Sequence, residues 1–182
     1  MLAQILELSL VSPDDDLILH LPKRWLGRNI FSSVLGKANH LPFPCFIKPL
    51  TPKLFNADVY HDLLALNAAC KNLPPDTAIL CSEIINIEAE ARTFMKNGQV
   101  LTCAIYEGKT QKIKQARDFV QKLLDDTQHL FPSTCVIDVA QLDSREWVFL
   151  EANATWGAGL NGCDPTATAQ CIAQATFCKL ED

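Results

Sequence analysis

The sequence lacks the spacings on which several common chemistries are built. None of its eight cysteines stands two residues from another in a C-x-x-C pair; the closest are Cys163/Cys171 and Cys171/Cys178. His20, His40, His61 and His129 are dispersed, with neither H-x-x-x-H nor H-E-x-x-H. Zinc sites depend on such close ligand pairs, so these absences argue against one. There is no G-x-x-x-x-G-K-[ST] to wrap phosphates and no G-x-S-x-G to present a nucleophilic serine. No uninterrupted apolar run approaches the roughly 20 residues that span a bilayer. Basic residues are in deficit, with a formal net charge of −5. That balance excludes the usual electrostatic footprint of nucleic-acid or anionic-membrane binding. The opening "MLAQILELSL" has no cationic n-region and no small-residue cleavage site, so a secretory signal is not expected.

What is present suits a globular domain. The chain has 182 residues, 48% of them hydrophobic and 20% charged, enough for one domain, or one domain with a small appendage, with a self-supporting core. Most cysteines lie in apolar strand-like or helical contexts, where a reduced thiol acts as a small hydrophobe. This favours a reducing, cytoplasmic setting over a disulfide framework.

The first forty residues show no clean period and suggest a short strand with irregular connections. "FPCFIKP" (43–49) reads as a strand stopped by Pro49. "ADVYHDLLALNAAC" (57–70) has apolar residues at helical spacing. Three strand signals follow in "AILCSEII", "EARTFM" and "QVLTCAIY", the last two joined by Asn97-Gly98, a strong hairpin signal. "KTQKIKQARDFVQKLLDDTQ" (109–128) predicts an amphipathic helix with Ile113, Ala116, Val120, Leu123 and Leu124 on one stripe. "TCVIDVAQL" and "REWVFLEAN" form a second strand pair. "DPTATAQCIAQATFC" (164–178) reads as a helix capped by Asp164 with Pro165 at its first position. The order β-α-β-β-β-α-β-β-α predicts an α+β fold, a largely antiparallel sheet backed by helices.

Several polar residues sit where chemistry would need them. Lys48 ends the apolar run of "FIKP", where a buried stem presents the ammonium to an anion; Lys53 follows five residues on. Strand alternation places Glu88, Glu90 and Arg92 on one face, a solvated ion-pair surface or else a cleft wall from which Arg92 grips a phosphate or carboxylate. Asp138 lies among apolar neighbours in "VIDVA", where an unpaired carboxylate is costly, so it needs a cation, donors or water. Glu151 and Asn153 are two apart at the end of a strand, and alternation sends both to one face. Asp138, Glu151 and Asn153 are hard oxygen ligands of the kind that hold Mg²⁺ together with substrate phosphates and water. Trp156, just beyond, packs the turn or lines a pocket.

Taken together, "FIKP", "CSEII", the "EAR" of an E-x-R-x-F run, "VIDV" and "EANATWGAGLNGCDP" resemble, in order and spacing, the ATP-grasp family over roughly residues 20–178. The resemblance implies an ATP-grasp-type α+β fold, an ATP-grasp domain over 41–182 and a segment at 1–40 that is the remnant of a preceding region. It implies that Lys48 and Lys53 contact nucleotide phosphates, and that Glu83 and Ile85 offer main-chain groups to the adenine edge. Arg92 would hold the γ-phosphate or the acyl-phosphate made from it, and Asp138, Glu151 and Asn153 would bind Mg²⁺. The implied activity is that of an ATP- and Mg²⁺-dependent ligase that activates a carboxylate as acyl-phosphate and joins it to an amine. The alternative is a nucleotide-binding module without independent catalysis, dependent on a partner chain or an absent N-terminal domain. ATP is the expected partner, with a carboxylate and an amine as substrates; a homo-oligomer is compatible with either reading. On the ligand reading, Lys48, Arg92, Asp138, Glu151 and Asn153 share one cleft.

Overall fold

The computed structural model describes residues 8–178. In chain order the elements are β1 (Leu8–Leu10), α1 (Leu17–His20), α2 (Lys23–Leu26), β2 (Ile30–Val34), β3 (Cys45–Pro49), β4 (Asp58–Tyr60), α3 (Leu63–Ala69), β5 (Ala78–Ser82), β6 (Ile87–Lys96), β7 (Gln99–Gly108), α4 (Ile113–Thr127), β8 (Thr134–Leu142), β9 (Trp147–Asn153), α5 (Pro165–Gln174) and β10 (Thr176–Cys178). The chain divides into two compact units, one of residues 1–21 with 86–182, the other of residues 22–85. Residue 41, where a domain boundary was expected, lies inside the second unit. Residues 1–7 and 179–182 of the expected domains, and with them most of the opening "MLAQILELSL", fall outside the described residues. Among the described residues no helix is long and apolar enough to cross a membrane.

The first unit is built on an antiparallel sheet in the order β7-β6-β8-β9. Asn97 and Gly98 make the β6–β7 turn with φ of 50° and 76°, the left-handed pair that a tight hairpin requires and that this dipeptide tolerates. All nine residues of β8 are buried, as a central strand covered on both faces should be. Helix α4 packs against the sheet through Ala116, Val120, Leu123 and Leu124. Ile113, expected on that stripe, is 43% exposed because it is the first helical residue, where the stripe has not yet reached the sheet. Helix α5 packs against β6, β7 and β8, where Phe94, Ala104, Val136, Cys163 and Cys171 form a cluster. Asp164 caps α5 by accepting the Ala167 N–H at 2.8 Å.

Two expected helices are shorter than their patterns suggested. "TFC" does not continue α5; Thr176–Cys178 pairs with β1, giving Thr176 and Phe177 strand partners in Leu10 and Ser9. Ladder hydrogen bonds to a distant segment thus override the local helical pattern. In the second unit Asp58–Tyr60 is a strand paired with β3. Helix α3 starts only after Asp62, whose carboxylate accepts the Ala65 N–H at 2.8 Å. The cap marks the true start, and the apolar spacing of Val59 and Tyr60 belongs to the strand.

That second unit holds a four-stranded antiparallel sheet, β2-β5-β3-β4. Its core gathers Ala38, Cys45, Ile47, Phe55, Tyr60, Leu66, Cys70, Ile79 and Cys81. Burial pushes the Cys81 thiol up to about 12, which keeps it protonated and unreactive at neutral pH.

Phe149 is fully buried in the first unit, edge-on to Phe131 at 6.4 Å between ring centroids. Phe149→Ala should lower stability by about 3–5 kcal/mol in urea denaturation followed by tryptophan fluorescence. Ile87→Ala, at a site 41% exposed, should change it far less.

Candidate functional site

Register explains how the polar residues of the first unit meet. Arg92 on β6 lies directly opposite Asp138 on β8, and Asp138 lies opposite Glu151 on β9. Paired residues point to one face of an antiparallel sheet, so the three form a row across three strands. Asn153, opposite Val136, joins them from the next row of the same face. The row therefore adjoins the end of the face that α5 covers through Phe94 and Val136.

Asp138 is 2% exposed. Arg92 meets it with a bidentate grip, Nε to Oδ1 at 2.9 Å and NH2 to Oδ2 at 2.7 Å. Burial pushes the Asp138 carboxyl up, while the Arg92 hydrogen bonds oppose that rise. The same hydrogen bonds hold the Arg92 guanidinium more firmly protonated. The two directions have different causes: desolvation prevails at the deeper Asp138 and favours its neutral form, whereas pairing prevails at Arg92 and favours its charge. Asn153 Nδ2 donates to Glu151 Oε1 at 2.9 Å and approaches Asp138 Oδ2 at 3.5 Å.

The remaining contacts of Arg92 define its outlook. NH1 donates to the Gly159 carbonyl at 3.0 Å, and the guanidinium carbon stands 5.6 Å from the centre of the Tyr106 ring. A guanidinium carries five N–H groups. Three are engaged among the described residues, leaving one on each terminal nitrogen, the pair that can bind two oxygens of one phosphate.

The donor set suits a hard cation. Two carboxylates and one amide oxygen cannot complete a shell alone and would rely on phosphate and water, which is the habit of Mg²⁺. Among the described residues no group of three or more His, Cys, Asp or Glu side chains gathers as a metal cage. Asp138 can take part only through lone pairs that Arg92 does not use. Glu151 and Asn153, partly exposed, are the more accessible members.

The other sequence candidates lie in the second unit. Lys48 is half-buried on β3, in register with Leu80. Lys53 is exposed in the β3–β4 loop with φ of 69°, a left-handed backbone. Glu83 follows β5, where its N–H donates to the Asn29 carbonyl at 3.1 Å and its carboxylate accepts from Asn29 N–H at 2.8 Å. The hydrogen bonds that the Asn29 backbone N–H and side-chain Nδ2 donate to this carboxylate lower the Glu83 carboxyl. Its carbonyl accepts from the Ser82 hydroxyl at 2.8 Å, and Ser82 in turn accepts from Arg28 Nε at 3.0 Å. The main-chain N–H of Glu83 is thus tied to Asn29 before β2 and its carbonyl to Ser82 of β5, and Ile85 is half-buried just beyond. Glu88 departs from the expected face: it is the extra residue of a bulge between Ile87 and Ala89, and it is exposed.

A family model described as an "ATP-grasp domain", family 2 of its clade, matches residues 25–171. The chain belongs to this ATP-grasp family. Solved structures with the same fold include the RimK domain ATP-grasp protein of Sphaerobacter thermophilus, 15% identical with a TM-score of 0.60 over 88% of this chain and 62% of that one. The D-alanine-D-alanine ligase of Coxiella burnetii is 12% identical with a TM-score of 0.57, over 84% of this chain and 53% of that one. The N5-carboxyaminoimidazole synthetase of Staphylococcus aureus, complexed with ADP, is 14% identical with a TM-score of 0.53, over 85% and 47%. The chain thus spans about half to three-fifths of the length of these ATP-grasp proteins. No match is found among curated proteins.

Sequence reasoning missed Tyr106 and Gly159 as neighbours of Arg92. Tyr106 read as one more apolar strand residue, and a carbonyl acceptor carries no side-chain signal.

Arg92→Met should cost about 3 kcal/mol by leaving Asp138 buried and unpaired. Asp138→Leu added to it should restore most of that loss, both read from urea denaturation. Without Arg92 the folded Asp138 carboxyl rises further, so the folded variant binds its proton more tightly than the unfolded chain. The deficit should be small below pH about 4 and grow as pH rises through the raised value.

Proposed function

We propose that this ATP-grasp chain binds ATP with Mg²⁺ and uses it to join a carboxylate to an amine. The observation that carries the reading is the single-faced row of Arg92, Asp138, Glu151 and Asn153, with two guanidinium N–H groups left for oxygen ligands. A fold shared with a D-alanine-D-alanine ligase and an ADP-complexed synthetase supports it at the level of architecture.

In this reading a substrate carboxylate oxygen attacks the γ-phosphorus of ATP, the bond to the β-phosphate oxygen breaks, and ADP leaves. The amine then attacks the acyl carbon, phosphate departs with the former carboxylate oxygen, and the amine loses a proton to give the amide. Negative charge builds on the transferring phosphoryl group, and fixed cations lower its energy. Arg92 is assigned that task in this reading, its guanidinium held by Asp138 and Gly159. Glu151 and Asn153, with Asp138 behind them, would hold Mg²⁺, which would supply neutralisation of the phosphate charge. Lys48 and Lys53 are assigned to nucleotide phosphates, and Glu83 and Ile85 to the adenine edge. For Glu83 the assignment rests on the second lone pair of its carbonyl, since Asn29 takes its N–H. We also assign the chain to a reducing cytoplasm, the setting in which unpaired cysteines persist.

Calorimetric titration of Mg·ATP into the purified protein is the test. Micromolar-range binding that needs magnesium, and that falls by at least about tenfold in Glu151→Ala/Asn153→Ala, is expected. Absence of binding to the wild-type chain at millimolar ATP would defeat the reading. Binding without ADP release on any carboxylate–amine pair would favour the nucleotide-binding module that lacks its own catalysis.

A further inference from the structure

β6 and β7 pair with a register shift that singles out one residue. Glu90 faces Glu107, yet Ala91 faces Ile105, so one step along β6 matches two along β7 and Tyr106 is the extra residue. Such bulges turn a side chain away from its regular direction. Here the result is a Tyr106 ring against the Arg92 guanidinium, 5.6 Å from its carbon to the ring centre, with the hydroxyl donating to Glu90 Oε2.

Glu90 is a second carboxylate near the same arginine. It lies two residues before Arg92 on one strand and on the same face, about 6.6 Å away along the backbone, within reach of a long guanidinium side chain. A carboxylate there is a ready bidentate partner for the two N–H groups that Asp138 and Gly159 leave over. The Tyr106 hydroxyl occupies Glu90 instead, and the guanidinium carbon lies over the Tyr106 ring.

We propose that Tyr106 is a positioning residue that keeps the terminal N–H groups of Arg92 available for a phosphoryl group, by supporting the guanidinium with its ring and by holding Glu90 away with its hydroxyl. The inference rests on the ATP-binding reading above and names a determinant of selectivity for a terminal phosphate within it.

Mg·ATP and Mg·ADP titrated separately into wild-type protein, Tyr106→Phe, Glu90→Ala and Tyr106→Phe/Glu90→Gln form the test. The Phe variant keeps the ring and frees Glu90, so ATP affinity should fall about tenfold while ADP affinity stays within about twofold. Glu90→Gln in that background should return ATP affinity to near wild type. Glu90→Ala alone, which leaves Tyr106 in place, should keep the ATP preference. Equal weakening of ATP and ADP in Tyr106→Phe, no weakening of either, failure of the rescue, or loss of the preference in Glu90→Ala would overturn the proposal. Wild-type protein that binds neither nucleotide would defeat the underlying ATP-binding reading itself, a different result from any of these.

Discussion

Asp138 puts a negative charge inside a strand whose every residue is buried, and Arg92 makes that placement tenable. A carboxylate with 3% of its side chain exposed gains little from water, so its partner must supply what the solvent cannot. The bidentate grip does so and orients both groups at once. It fixes the plane of the guanidinium, and with it where the unused N–H groups point. The rest of the site is arranged around it, with the Gly159 carbonyl at one terminal nitrogen, the Tyr106 ring under the guanidinium carbon and Glu151 beside Asp138 on the next strand.

The sheet makes this arrangement rigid and economical. Three antiparallel strands bring three charged residues together by register alone, with no loop ordering required. Bulges at Tyr106 in β7 and Leu150 in β9 fall on either side of the row. Each lets a strand change direction where the apolar packing under α5 gives way to polar chemistry. One half of the face thus carries the apolar packing and the other half the polar row.

Part of this was legible in the residues. Glu151 and Asn153 are two apart on a strand, and the two-residue period is enough to place them on one face. Asp138, alone among apolar neighbours, demanded a partner. Asn97-Gly98 announced its hairpin, and Asp164-Pro165 announced the start of a helix. Elements stabilised by distant pairing were not legible: the strands at 58–60 and 176–178 carry helix-compatible spacing, and only their partners decide otherwise. The exposure of Glu88 and the turn of Tyr106 toward Arg92 also follow from bulges, which depend on how two strands match rather than on either strand alone.

Local sequence sets the class of fold, the antiparallel character of the sheets and which polar residue types are at hand on the strands. These properties follow from local periods, turn chemistry and the cost of burying charge, all of which act within a few residues. Tertiary structure alone decided that Arg92 is the partner of Asp138, that Asn29 holds Glu83, and that Tyr106 stands between Arg92 and Glu90. Those choices join residues far apart in the chain, and cross-strand register, which no single segment encodes, is the physical quantity that sets them.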